Sequence, residues 1–165
     1  MFRFLSKMCD VLDSIFTYAG CVLLLLVITA SSLQVFTRYV LNASMTGTEE
    51  FARFSFIWMS MLGCSVAVGR AAHPTITLIV DRMKGIYKKI LTVGIFILIS
   101  LCALIWIVYG IEMVSITTAM RSPILLVPMA YVYLAIPVGG LGILLHCIQR
   151  IIYIFAAPVH GTEGV

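Results

Sequence analysis

Charged side chains are scarce in this chain: only 11% of its 165 residues are Asp, Glu, Lys or Arg. Soluble domains carry about 25% charged residues, so this scarcity excludes an ordinary soluble domain. Hydrophobic residues make up 62% of the sequence, and the mean hydropathy is +1.12. The chain is therefore predicted to be an integral membrane protein.

Paired cysteines are also missing. The five cysteines (Cys9, Cys21, Cys64, Cys102 and Cys147) are odd in number and scattered, and no CxxC pair occurs. This spacing supports neither a zinc site nor a redox motif. Small apolar packing residues are the simpler interpretation.

Ionisable side chains that could bind a substrate or catalyse a reaction are absent from the middle of the hydrophobic runs. A carrier needs polar or ionisable groups, or broken helices, near the membrane midplane. The middle of the first run is Val22-Leu23-Leu24-Leu25-Leu26-Val27, and the Pro137 and Gly139-Gly140 interruption of the fourth run supplies no charge. No nucleophile–base set or phosphate loop is present either. The sequence thus indicates neither an enzyme nor a carrier that works alone.

Four hydrophobic runs are long enough to cross a bilayer, which takes about 20 apolar residues per helix. They cover residues 15–36, 51–72, 90–114 and 127–155, and together they predict one all-α membrane domain, residues 1–165. With the N-terminus inside, eight basic residues fall on the cytoplasmic side and three on the outer side, counted from the sequence. The positive-inside rule then places both termini in the cytoplasm.

Two amphipathic segments flank these runs. Residues 74–88 place apolar side chains at helical spacing, which predicts an interfacial helix between spans two and three. Its basic residues would contact phospholipid headgroups; they are Arg82, Lys84, Lys88 and Lys89. A cytoplasmic extension of span three is the alternative. The lead-in before residue 15 is likewise predicted to lie in the interface as an amphipathic entry to a retained first helix.

Ionisable residues cluster at the outer end of span two. Glu49 and Glu50 precede Arg53 at the spacing of intrahelical ion pairs, and the first turn of a helix favours negative charge. One interpretation is purely local, a salt-bridged helix start. Another is that the acid pair also meets Arg38 at the end of span one, or a partner subunit. Substrate or ion binding is the least favoured of the three.

Small residues continue along the same face of span two. Ser60, Gly63 and Ala67 form a small-xxx-small pattern, which lets a neighbouring helix approach closely in lipid. Arg70 and His73 follow at the inner end. Span four has a similar stripe of Ala135, Gly139, Gly142 and His146. The two stripes predict a tight bundle or a docking surface.

Several of these motifs together resemble one family. They are Phe36-x-Arg38-Tyr39, Thr48-Glu49-Glu50-Phe51-Ala52-Arg53-x-x-Phe56-Ile57-Trp58, Leu62-Gly63, Ala67-x-x-Arg70-x-x-His73, and the Pro123 to Gly139 segment of span four. Over residues 34–142 the chain resembles the small membrane subunit, of DctQ type, of tripartite ATP-independent periplasmic (TRAP) transporters.

The resemblance implies an accessory role in a bacterial inner membrane. In such systems a large permease subunit carries an organic acid anion and sodium by an elevator motion, and a periplasmic protein delivers the substrate. The small subunit would be the scaffold that anchors the large one, without cofactor or nucleic acid. Sialic acid, C4-dicarboxylates and other carboxylates or sulfonates remain open as substrates. A small homodimeric exporter and a membrane assembly factor are the alternatives.

Overall fold

Long helices dominate the computed structural model, which describes residues 2–42, 46–70 and 86–156. Helix α1 spans Phe2–Tyr39, α2 Thr46–Gly69, α3 Ile86–Thr117, α4 Met129–Tyr133 and α5 Ala135–Ala156. Helices α1, α2 and α3, together with the α4–α5 pair, give four candidate membrane spans. The chain is an all-α integral membrane protein, as predicted. We call the end at which α2 begins the outer end and the opposite end the inner end, after the predicted orientation.

The helices form an open row in the order α1, α2, α5, α3. Helix α2 packs against both α1 and α5, and α3 packs against α5 and the short α4. Within the described residues, α3 approaches neither α1 nor α2. Helix α1 touches α5 only weakly, for example through Phe16, which lies against Gly142. Helices α2 and α5 therefore each have a long neighbour on both sides, and burial is greatest in the α4–α5 span, where half of the most hydrophobic stretch is buried.

Each end helix of the row is attached along one narrow seam. Between residues 20 and 40 of α1, the side chains that are not exposed recur every three or four positions, at Gly20, Leu23, Val27, Ala30, Gln34 and Thr37. From residue 101 onward, α3 does the same at Ala103, Ile107, Gly110, Val114 and Thr117. A 3.5-residue repeat is the packing period of left-handed helix pairs. The remaining surface of both helices faces outward.

Glycines set the distance between α5 and its neighbours. A Cβ added at Gly139 would lie 2.8 Å from the Met61 Cβ and 3.0 Å from the Met61 carbonyl oxygen on α2. One at Gly140 would lie 3.2 Å from the Ala103 carbonyl oxygen on α3. The predicted stripe on span four therefore does pack closely, against α2.

Proline divides the fourth span. Helix α4 ends at Tyr133, and α5 begins at Ala135. Pro137 has no N–H, and its ring clashes with the carbonyl of the residue four positions earlier, which is Tyr133. The break therefore falls where the ring forbids a continuous helix.

The described helices extend the predicted spans. Helix α1 is continuous from Phe2, so the lead-in is helical, as its spacing predicted, and joins the spanning helix without a break. Helix α3 begins at Ile86, four residues before the predicted span. The described end of the predicted interfacial helix, residues 86–88, thus belongs to α3. Residues 74–85 lie outside the described part of the chain.

A matched pair of glycine substitutions tests the packing of α5. We expect Gly139→Ala to destabilise the purified chain by about 1–3 kcal/mol, because its methyl group would overlap the α2 backbone. Gly63→Ala should be neutral or slightly stabilising, since a Cβ there meets nothing within 4 Å and alanine favours helix. Thermal unfolding in detergent measures both. Equal melting temperatures for the two variants would contradict this packing.

Candidate functional site

The outer end of α2 carries an ion pair that also reaches α1. Arg53 donates a hydrogen bond to Glu49, with 3.0 Å between Nη2 and Oε1. Gln34 of α1 donates through Nε2 to Glu49 Oε2 at 3.3 Å. The side chains of Arg53 and Glu49 are 67% and 54% exposed, and such surface pairs contribute little stability. The local ion pair predicted from spacing is therefore present, between Glu49 and Arg53.

Glu50 points into the protein, away from this surface pair, and binds a loop that is distant in the sequence. It is buried, and its Oε2 accepts a hydrogen bond from the backbone N–H of Leu125 at 2.7 Å. Leu125 lies in the loop between α3 and α4, 75 residues away along the chain. Glu50 thus ties the outer start of α2 to that loop, a role that sequence spacing did not reveal.

Arg38 does not join this cluster. It is exposed near the end of α1, and among the described residues no ion pair links it to Glu49 or Glu50. Within the described residues, the contacts therefore fit the local interpretation of the acid pair and not a contact with Arg38. Gln34, one helical turn earlier, makes the link from α1.

The inner end of α2 is held by a second ion pair. Arg70 donates to Asp13 Oδ2 through Nε and Nη2, at 3.1 and 2.9 Å, and Nη2 also donates to the Thr17 hydroxyl at 2.7 Å. The hydrogen bond and the negative charge of Asp13 raise the pKa of Arg70 above its ordinary value. Within this chain, Arg70 fastens α2 to α1. Asp13 is the partner that the sequence analysis missed.

Arg150 completes the inner end from α5. Its Nε and Nη2 donate to the carbonyl oxygen of Gly69 at 3.2 and 2.6 Å, which satisfies a carbonyl left unpaired at the C-terminus of α2. The His146 ring lies against Gly69, where an added Cβ would come within 2.8 Å of Nδ1. These side chains border a cavity of about 600 Å³ between α1, α2 and α5.

The small-residue stripe of α2 does not face α5. Gly63 is exposed with open space beside it, Ala67 is partly buried, and the Ser60 hydroxyl bonds back to the Phe56 carbonyl at 2.8 Å. The face that packs inside the chain is formed by Ala52, Ser55, Leu62, Ser65 and Val68. The open space at Gly63 is therefore available for contact with another molecule.

The predicted headgroup residues are described only in part. The ammonium group of Lys89 lies 5.2 Å from the centre of the Phe155 ring, a cation–π contact between α3 and α5. Lys88 lies in the first turn of α3. Arg82, Lys84 and His73 lie outside the described residues. Within the described ranges, no group of three or more His, Cys, Asp or Glu side chains could hold a metal ion.

Comparison of the sequence with known proteins points to one family. Residues 23–157 match the family model described as tripartite ATP-independent periplasmic transporters, DctQ component. The chain is similar to the sialic acid TRAP transporter small permease protein SiaQ of Vibrio cholerae, with 28% identity over 90% of this chain and 84% of that protein. It is 26% identical to a TRAP transporter small permease protein of Haemophilus influenzae, over 82% of each chain.

A larger protein also contains a similar segment. The isethionate TRAP transporter permease protein DctMQ of Oleidesulfovibrio alaskensis is 29% identical over 75% of this chain, and the match covers 20% of that protein. The region that resembles this chain is therefore one part of a longer permease there.

Two neighbouring glutamates provide a contrast that tests the outer cluster. We expect Glu50→Ala to cost about 1–3 kcal/mol of unfolding free energy, because the Leu125 N–H loses a charged acceptor. Glu49→Ala, on the exposed side, should change it by less than about 0.5 kcal/mol. Chemical unfolding of the purified chain measures both, and hydrogen exchange at Leu125 should accelerate only in Glu50→Ala. Equal costs would contradict the assignment.

Proposed function

This chain belongs to the DctQ component family of TRAP transporters, and from that premise we propose that it is the scaffold on which a large, elevator-type permease subunit is held. Members of this family are small permease subunits, multi-pass proteins of the bacterial inner membrane that work with a large permease. They are transport components and not enzymes. The scaffold role itself is our proposal.

The open row of helices is the observation that carries it. In the most hydrophobic stretch of α1 no residue is buried, and in that of α3 only 6% are. Each of these helices is attached by one seam, so the chain presents long apolar faces in place of a closed core. A partner that moves during transport needs a fixed surface that keeps its own shape, and the polar contacts at both ends of α2 give the row that rigidity.

The interior of the row offers no route for a charged substrate. Between the ends, α5 contacts α2 and α3 mainly through glycines and aliphatic side chains, with the uncharged Ser65 hydroxyl beside Gly142, and the ion pairs lie at the two ends. An anion crossing this chain would lose its hydration without compensation. The transport path is therefore proposed to lie in the large subunit, with sodium coupling located there too.

The partners follow from the same premise. We propose a periplasmic binding protein that delivers an organic acid anion, a carboxylate or a sulfonate, as the names of the sialic acid and isethionate relatives indicate. Membrane phospholipid is proposed to contact the basic residues that follow α2. The stripe of Ser60, Gly63 and Ala67, which is exposed at Gly63, is proposed to meet the large subunit, because small residues allow close helix contact in lipid.

Reconstitution without this chain tests the scaffold role. Liposomes that contain the large subunit alone should take up the anion in response to a sodium gradient much more slowly than liposomes with both subunits, when the binding protein is present in each. The scaffold is required to hold the large subunit in a working position. Full uptake by the large subunit alone would overturn the proposal.

A bulky residue in the open stripe tests the contact surface. Gly63→Leu should leave the stability of the isolated chain unchanged but lower recovery of the large subunit in affinity co-purification by severalfold. Gly94→Leu on α3 is the matched control, because a Cβ there also meets nothing within 4 Å. Equal recovery with both variants would place the contact elsewhere.

A further inference from the structure

We propose that the loop from Arg121 to Pro128 is a membrane anchor whose apolar tip inserts into the outer boundary of the lipid bilayer. Three of its side chains are large, apolar and exposed, Ile124, Leu125 and Leu126 at 47%, 39% and 60%, and Met120 just before the loop is exposed at 55%. A contiguous apolar patch of this kind on a small loop marks contact with lipid or protein. The proposal does not depend on the scaffold role.

Part of the backbone of this loop is hydrogen-bonded by the protein itself. Ser122 N–H donates to the Val127 carbonyl and Met129 N–H to the Met120 carbonyl, both at 2.9 Å. The Leu125 N–H donates to buried Glu50, and Arg121 Nη1 donates to the Leu126 carbonyl at 3.4 Å. Irregular backbone tolerates a medium of low polarity only when its hydrogen bonds are made internally. These four contacts meet that condition at the Ser122 and Leu125 N–H groups and at the Leu126 and Val127 carbonyls.

The conformation of the tip is unusual for its sequence. Leu126 has φ of 56°, in the left-handed region that side chains disfavour. Surrounding contacts maintain such a conformation, and it recurs at functional positions. Here it places three consecutive aliphatic residues on a loop whose shape is fixed.

Depth in the membrane favours lipid as the occupant. Glu50, which holds the tip, lies twenty positions before Arg70, which marks the polar inner end. At 1.5 Å per residue that separation is about 30 Å, the thickness of the hydrocarbon core. Tilt of α2 shortens it. The tip therefore lies at the opposite hydrocarbon boundary, where aliphatic side chains insert and the remaining donors of Arg121 can reach lipid phosphate.

Photochemical labelling of the intact complex tests this placement. A diazirine-bearing leucine analogue encoded at position 126 would be irradiated in the full chain with its large subunit, in nanodiscs of phosphatidylethanolamine and phosphatidylglycerol. Mass spectrometry then separates adducts with lipid, with protein and with water. We expect lipid adducts to dominate at 126. The same analogue at Thr118, exposed just before the loop, should give severalfold more water adduct.

Two outcomes would overturn the proposal: water adducts at 126 as frequent as at 118, or adducts mainly with the large subunit. The second would show that protein covers the tip. Glu50→Ala should reduce the lipid adduct at 126 severalfold, because the loop loses its anchor, whereas Glu49→Ala should leave it unchanged. The analogue at Ile124 repeats the measurement if position 126 does not accept it.

Discussion

Close approach of α5 to both of its neighbours is the constraint on which the row depends. In lipid, helices gain little from burying apolar surface against one another, so association rests on tight packing. Gly139 and Gly140 are consecutive, and successive helical residues point about 100° apart. One glycine therefore admits α2 and the next admits α3. If either contact were lost, α5 would no longer pack against the helix on that side of the row.

Polar contacts add to this packing, and most of them lie at the outer and inner ends of the helices. At the outer end, Glu49 binds Arg53 and Gln34 at the surface. Glu50 points inward and accepts a hydrogen bond from the Leu125 amide. Inside, Arg70 fastens α2 to α1, and Arg150 fastens α5 to α2. The ends are therefore fixed in register, and between them packing contacts dominate, with a hydrogen bond from Trp58 Nε1 to the Tyr131 carbonyl oxygen at 3.1 Å.

The sequence was sufficient for the class, the four spans and the stripe on span four, because length, hydropathy and glycine spacing report these directly. It was insufficient to predict the order of the helices in the row and the faces through which they pack. A helix in lipid is apolar on its outer side too, so hydrophobic periodicity does not show which face of α1 or α3 is packed. The seams at Leu23 and Ala103 became visible only from burial.

Long-range polar partners were hidden for another reason. The Glu50 contact joins residues 75 positions apart, and the Arg70 contact joins residues 57 positions apart. Local spacing paired both acids with Arg53 and left Asp13 on a supposed surface helix. The small residues of α2 misled in the same way: Gly63 has open space beside it, while Ser65, two positions on, is fully buried against α5.

The seams also determine which positions of α1 and α3 tolerate amino-acid substitution. Away from positions such as Leu23 and Ile107, any apolar side chain on α1 or α3 leaves the row intact, so a partner surface there can diverge without loss of fold. Helix α5 has no such freedom. Insertion of one residue between Pro137 and His146 would rotate half of the helix by about 100°, and the glycines and Arg150 could no longer face their partners together. Evolution of a new docking partner is therefore expected to proceed through the end helices.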